Sequence, residues 1–139
     1  MRNMIDTNVW IDGIAGNLSK KAFLKVSVGA EWAGYSAITR LELFGFPGLT
    51  EAEEGKIREL LQAFEEVPVT TEIIDRAIQI RKRAKVKVPD AIIGATALVL
   101  ECNLVTRNVS DFKPIDGLKV IDPFVNRTGA GDGCEEIPR

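Results

Sequence analysis

Met4-Ile5-Asp6-Thr7-Asn8-Val9-Trp10-Ile11-Asp12 reads as the end of a short apolar strand that turns at once into a helix, with Asp6 at the junction. An aspartate held where a strand ends lies at the carboxyl edge of its sheet, where open α/β folds place their chemistry. Asp-Thr-Asn is equally good turn and N-cap chemistry, because these side chains bond nearby backbone N–H groups. One acid alone decides nothing. What separates the two readings is whether other acids, distant in sequence, occupy the same kind of junction.

Working outward, Asn3 to Ile5 is expected as the first strand and Thr7 to Ile14 as the first helix. Ser19 caps a second helix across Lys20 to Val28, and Gly34-Tyr35-Ser36 is a brief second strand. Ser36 or Thr39 opens a helix through Leu41, Leu43 and Phe44 that Gly45 and Pro47 bring to an end. Thr50 is an N-cap, with Glu51, Glu53 and Glu54 in the first turn where negative charge suits the helix dipole. Ile57, Leu60, Leu61 and Phe64 then follow at helical spacing as one buried face. Val67-Pro68-Val69 is an edge strand, and Thr71 caps a helix whose buried side is Ile74, Ala77, Ile78 and Ile80. Ala91 to Leu100 is a helix apolar around most of its circumference, and therefore central. Leu104-Val105-Thr106 is a buried strand, Arg107 to Phe112 a loop, and Leu118 to Ile121 the last strand.

Helices alternating with short apolar strands predict an α/β fold, a three-layer α/β/α sandwich around a short-stranded, mostly parallel central sheet with right-handed crossovers. At 139 residues the chain suits one domain, over 1–125, followed by a glycine-rich acidic tail, 126–139, expected to fray or to be held by contacts. In that tail Gly129-Ala130-Gly131-Asp132 resembles an anion-hole motif of sugar kinases, but no helical pattern follows it. The triplet Asn126-Arg127-Thr128 fits glycosylation, which has no meaning in a cytoplasmic chain.

Hydrophobic residues at 45% and charged ones at 27% describe an ordinary globular chain. With a net charge of -2, nucleic-acid binding needs a local basic face. The densest positive run is Arg81-Lys82-Arg83-Ala84-Lys85-Val86-Lys87 at a helix end, either a solvated face or a phosphate contact made by Arg81, Arg83, Lys85 and Lys87. There is no histidine, which removes Ser/His and Cys/His nucleophile pairs and paired-histidine acid–base catalysis. Cys102 and Cys134 are too few for a usual zinc site. Carboxylates are left to carry any chemistry. The apolar run Ala91 to Leu100 is too short to cross a bilayer, and no charged leader precedes a hydrophobic start, so a cytoplasmic location is expected.

Three acids join Asp6 at comparable places: Glu42 on the helix after the second strand, Asp90 at the start of the central helix, and Asp111 in the loop after Leu104-Val105-Thr106. Each has a local alternative, Glu42 in a capping box with Thr39, Asp90 as an N-cap and Asp111 as a turn former. Jointly they are expected at one sheet edge, since each follows a strand or begins a helix. Like-charged carboxylates so placed repel and hold their protons more tightly unless a cation sits among them. Oxygen-only donors suit Mg²⁺ or Mn²⁺, which can activate water and stabilise charge building on a phosphodiester.

Four pieces, in this order, resemble the PIN domain and, within it, the VapC-type toxins of prokaryotic toxin–antitoxin pairs. They are Ile5 to Asp12, Ser36 to Gly45, Pro89 to Ala97 and Val105 to Phe112, and the likeness runs from Met4 to about Pro123. The resemblance implies a metal-dependent endoribonuclease cutting single-stranded or transfer RNA. It carries over Asp6 and Asp90 as direct ligands of Mg²⁺ (or Mn²⁺), Glu42 and Asp111 as holders of the ion's waters, and in-line attack by one such water. Thr7, Asn8, Thr106 and Asn108 match polar positions that orient the acids. It also implies a small antitoxin partner and a homodimer, with no membrane association. Gly94 departs from the alanine that is frequent in the family. A nuclease of RNA maturation or decay without an antitoxin is the near alternative. A receiver-like module that binds Mg²⁺ without catalysis is the distant one, since Thr7 stands where receivers pair a second acid.

Overall fold

Consecutive strand residues point to opposite faces, so a strand buried on both sides shows no polar alternation. Met4 and Ile5 are both fully buried and enter two different cores, and Leu104 and Val105 divide in the same way. The computed structural model describes residues 1–124; the tail motifs, Cys134 and the boundary after residue 125 lie outside them. Within it, β1 (Arg2–Ile5), β2 (Trp32–Ser36), β3 (Glu65–Val67), β4 (Asn103–Val105) and β5 (Val120–Ile121) form one sheet in the order β3-β2-β1-β4-β5. Every pairing is parallel, with Met4 opposite Gly34 on one side and Leu104 on the other.

One face is covered by α1 (Thr7–Ala15), α2 (Lys20–Val26), α3 (Ala37–Phe44) and α4 (Glu51–Leu61). Its centre is Trp10, which meets Phe23, Tyr35 and Phe64 edge to face at ring centroid distances of 5.3–5.7 Å and donates from Nε1 to Ile5 O. The other face carries α5 (Thr71–Arg83), α6 (Val88–Val99) and α7 (Val109–Phe112), packed on Met4 and Leu104. The helix α6 is central, as its all-round apolarity implies, with Ala91, Ile93, Ala95 and Ala97 buried.

Several local expectations shift. The edge strand β3 ends at Val67 instead of running through Pro68, because proline cannot donate to the ladder. Thr70, not Thr71, caps α5 by accepting from Ile73 N, and the helix packs with Ile73, Ala77 and Ile80 in the core. Ile74 and Ile78 lie outside, 38% and 45% exposed. The segment Arg107 to Phe112 contains the short helix α7. Thr50 and Glu53 form the reciprocal capping box of α4.

Candidate active site

The chain lays down β1, β2 and β3 outward on one side, then returns to place β4 and β5 on the other. The crevice opened by that reversal lies at the carboxyl ends of β1 and β4, the general ligand position in open α/β sheets. Asp6 directly follows β1 and Thr106 directly follows β4. Asp6 N donates to Val105 O at 2.9 Å, so the two strand ends are held side by side.

Asp6 is 5% exposed. As N-cap of α1 its Oδ1 accepts from Thr7 N at 2.8 Å, while Oδ2 accepts from Thr106 Oγ1 at 2.7 Å and Asn8 Nδ2 at 3.1 Å. The turn reading and the functional reading are thus both served, since the cap aims the carboxylate. Burial pushes its pKa up to about 6 against the opposing hydrogen bonds from Thr106 and Thr7, and the charges of Asp90 and Glu42 push the same way. Thr106 Oγ1 is saturated: it donates to Asp6 and accepts from Asn8 Nδ2 at 3.3 Å and Asn108 N at 3.1 Å.

Glu42, exposed on α3, does not close a capping box with Thr39, because Ser36 caps that helix. Its Oε1 accepts from Thr7 Oγ1 at 2.6 Å, and Thr7 shares a second hydrogen bond with the fully buried Thr39 at 3.0 Å. Asp90 is not an N-cap either; Lys87 holds that position and Asp90 lies half-buried in the first turn of α6. Burial raises the Asp90 pKa, helped by the charges of Asp111 and Glu42 and opposed by Lys87. Asp111 sits exposed on α7. The structure therefore brings all four acids into one electrostatic neighbourhood, along with Thr7, Asn8 and Thr106. Asn108 contributes its backbone N–H, while its side chain does not cap α7.

The donor set is oxygen only and hard, with four carboxyl groups against the opposing charge of Lys87 at Asp90, which fits a hard divalent cation. Among the described residues no three Asp, Glu or Cys side chains converge closely enough to enclose an ion by themselves.

The basic run is exposed where α5 gives way to α6. Arg81 is partly spent on structure, donating from Nε to Val86 O at 3.0 Å; Lys87 is the member whose charge reaches Asp90. An open groove of about 750 Å³ between α3, α4 and the β3 edge, lined by Leu41, Phe44, Arg58 and Phe64 among others, contains none of the four acids.

Sequence reasoning missed Thr39, Asp12 and Arg107 as supports of the site. Thr39 was legible as the residue three before Glu42, one helical turn away on the same face. Asp12 and Arg107 pair across 95 residues of chain, Oδ2 to Nη1 at 2.9 Å, and only the fold joins them.

Residues 4–118 match the PIN domain family. Among solved structures, a toxin–antitoxin complex from Klebsiella pneumoniae is 30% identical, with 88% of this chain and 98% of that one covered and a TM-score of 0.72. VapBC-1 from nontypeable Haemophilus influenzae is 25% identical over the same shares, also at 0.72. DNA-bound VapBC from Salmonella typhimurium, 23% identical with 88% and 98% covered, reaches 0.75 and shares the fold. No curated protein matches the chain. A sheet of this order, with acids gathered at its switch point and a family match spanning most of its length, leads to one assignment: the chain belongs to the PIN domain family, a family of nucleases.

Proposed function

We propose that this PIN nuclease is a metal-dependent endoribonuclease that hydrolyses RNA phosphodiester bonds as the VapC-type toxin of a toxin–antitoxin pair. The observation that carries this is Asp6: a buried carboxylate, fixed by three donors at the sheet's switch point and crowded by Asp90 and Glu42. Burying negative charge beside negative charge is costly unless a cation belongs there. Asp6 and Asp90 would hold Mg²⁺ or Mn²⁺ directly, with Glu42 and Asp111 reaching the ion through water. When bound, the ion acidifies water and offsets the charge that builds on the phosphorus.

The chain's own residues do the rest. Thr7, Asn8 and Thr106 keep the Asp6 and Glu42 carboxylates in one orientation, so no reorganisation is needed as the phosphodiester is attacked. Asn108 supports Thr106 through its backbone N–H. Arg81, Arg83, Lys85 and Lys87 are assigned to the RNA backbone. A small antitoxin partner is supported by the solved relatives, the one from Klebsiella pneumoniae being a toxin–antitoxin complex. The homodimer and cytoplasmic location belong to the same proposal; among the described residues, no helix is long and apolar enough to cross a membrane.

The test is cleavage of single-stranded and transfer RNA with Mg²⁺ or Mn²⁺. Asp6→Ala and Asp90→Asn should each reduce the rate by more than the roughly 10–100-fold that loss of an outer-shell partner costs. Cleavage that persists in excess EDTA would overturn the metal mechanism. Growth arrest on expression of the wild-type chain, absent for Asp90→Asn, supports the toxin; equal tolerance of both moves the enzyme to RNA maturation or decay.

A further inference from the structure

Asp12 is a charged residue in the buried side of α1, 3% exposed, beside the fully buried Val9 and Trp10. Its Oδ2 contacts Arg107 Nη1 at 2.9 Å in an ionic contact without well-aligned hydrogen-bond geometry, and its Oδ1 accepts from Asn17 Nδ2 at 3.3 Å. Arg107 is half exposed and its guanidinium lies over the Phe124 ring, 5.8 Å from the centroid. Asn8 and Asp12 are four apart and share a face of α1. Both hold Arg107: Asn8 Oδ1 accepts from its backbone N at 3.1 Å while Asp12 takes its side chain.

Arg107 is the middle of the three residues that join β4 to α7. On one side is Thr106, which donates to Asp6; on the other is Asn108, whose N–H bonds Thr106 and which precedes the helix bearing Asp111. A buried ion pair is a poor source of stability, since apolar residues of similar size commonly serve as well or better. What this pair adds is a second tether, because Arg107 is held to α1 through its backbone N–H by Asn8 and through its guanidinium by Asp12.

We propose that Asp12 and Arg107 form a positioning pair that clamps the β4–α7 loop onto α1, and so fixes Thr106 and Asp111 relative to Asp6. The inference rests on the nuclease reading of the acids. Neither residue touches the reacting atoms; both act through Asn8, Thr106 and the loop.

The experiment uses the full chain and the variants Arg107→Gln, Asp12→Asn and Arg107→Lys, with two readouts. In metal-free protein, hydrogen–deuterium exchange of residues 106–112 should become severalfold faster in the first two variants, with the strands unchanged. On an RNA that the wild type cuts, their kcat should fall roughly 10–100-fold with KM held within about a factor of two. The double variant should be no worse than either single one, because the two residues act as a unit. Arg107→Lys, which keeps the charge without the fork, should recover part of both effects.

A rise in KM at unchanged kcat would overturn the proposal and make Arg107 a substrate contact. Unchanged exchange, or exchange raised evenly across the chain with kcat per folded molecule intact, would overturn it and leave a structural pair. Should Arg107→Gln fail to fold, Asp12→Asn and Arg107→Lys decide. If the wild type cuts no RNA, the nuclease reading fails, and the exchange comparison still judges the clamp.

Discussion

Asp6 caps α1 with a carboxylate that is itself buried, and the burial works against its charged form. In the unfolded chain its carboxyl titrates near ~3.9; folded, burial holds it up at about 6. At about pH 2, well below both values, the two states are protonated and there is no penalty. As pH rises towards 6 the unfolded state ionises first, so folding stability falls by about 3 kcal/mol before levelling off. Urea unfolding of metal-free protein should show a steeper loss in the wild type than in Asp6→Asn, where Asp90 with its raised pKa still contributes, and the variant should exceed the wild type at pH above 7. Equal pH slopes would mean that Asp6 is not the group under strain. Residue types and their order suffice to nominate Asp6, Glu42, Asp90 and Asp111. Their local alternatives are settled by details no pattern carries: Ser36 caps α3 in place of Thr39, and Lys87 occupies the cap position before Asp90.

At the scale of elements, cap chemistry and apolar spacing place almost every helix, because both are local properties. The exceptions are set by packing. In α5 the apolar residues Ile73, Ile74, Ala77, Ile78 and Ile80 cover more of the circumference than one face can bury, and packing on the core selects Ile73, Ala77 and Ile80 and leaves Ile74 and Ile78 outside. The edge strand β3 is three residues of Glu-Glu-Val, with no apolar alternation to announce it; it exists because β2 offers Tyr35 and Ser36 as partners. Gly94 in α6 has a tertiary explanation: a Cβ there would meet Ile115 Cδ1 at 2.7 Å. That methyl is the free end of a flexible side chain and can move aside. Gly94→Ala should therefore stabilise the protein by up to about 1 kcal/mol through helix propensity, read as a higher urea midpoint. A loss of more than about 1 kcal/mol would mean that the Ile115 side chain is held rigidly.

For the molecule as a whole, acids and bases are gathered in separate places, the acids by the β1–β4 crevice and the basic run where α5 gives way to α6, with Lys87 reaching Asp90. Replacing Arg81, Arg83, Lys85 and Lys87 should weaken RNA binding and flatten the slope of log K against log salt by about 0.7 for each single-strand phosphate left without its cation, measured by titration at several salt concentrations. Arg81 alone should contribute least, because its Nε is engaged with Val86. An unchanged slope would return the run to a solvated helix face. The sequence by itself determined the layered α/β architecture and nominated the four acids, because strand and helix periodicity, cap residues and the absence of histidine are readable one segment at a time. Only the tertiary structure decided that the sheet is wholly parallel with β1 at its centre, that Thr39 supports Thr7, and that Asp12 reaches Arg107. Those arrangements join segments far apart in the chain, set by which strands pair and which helix faces meet, and no local pattern encodes them.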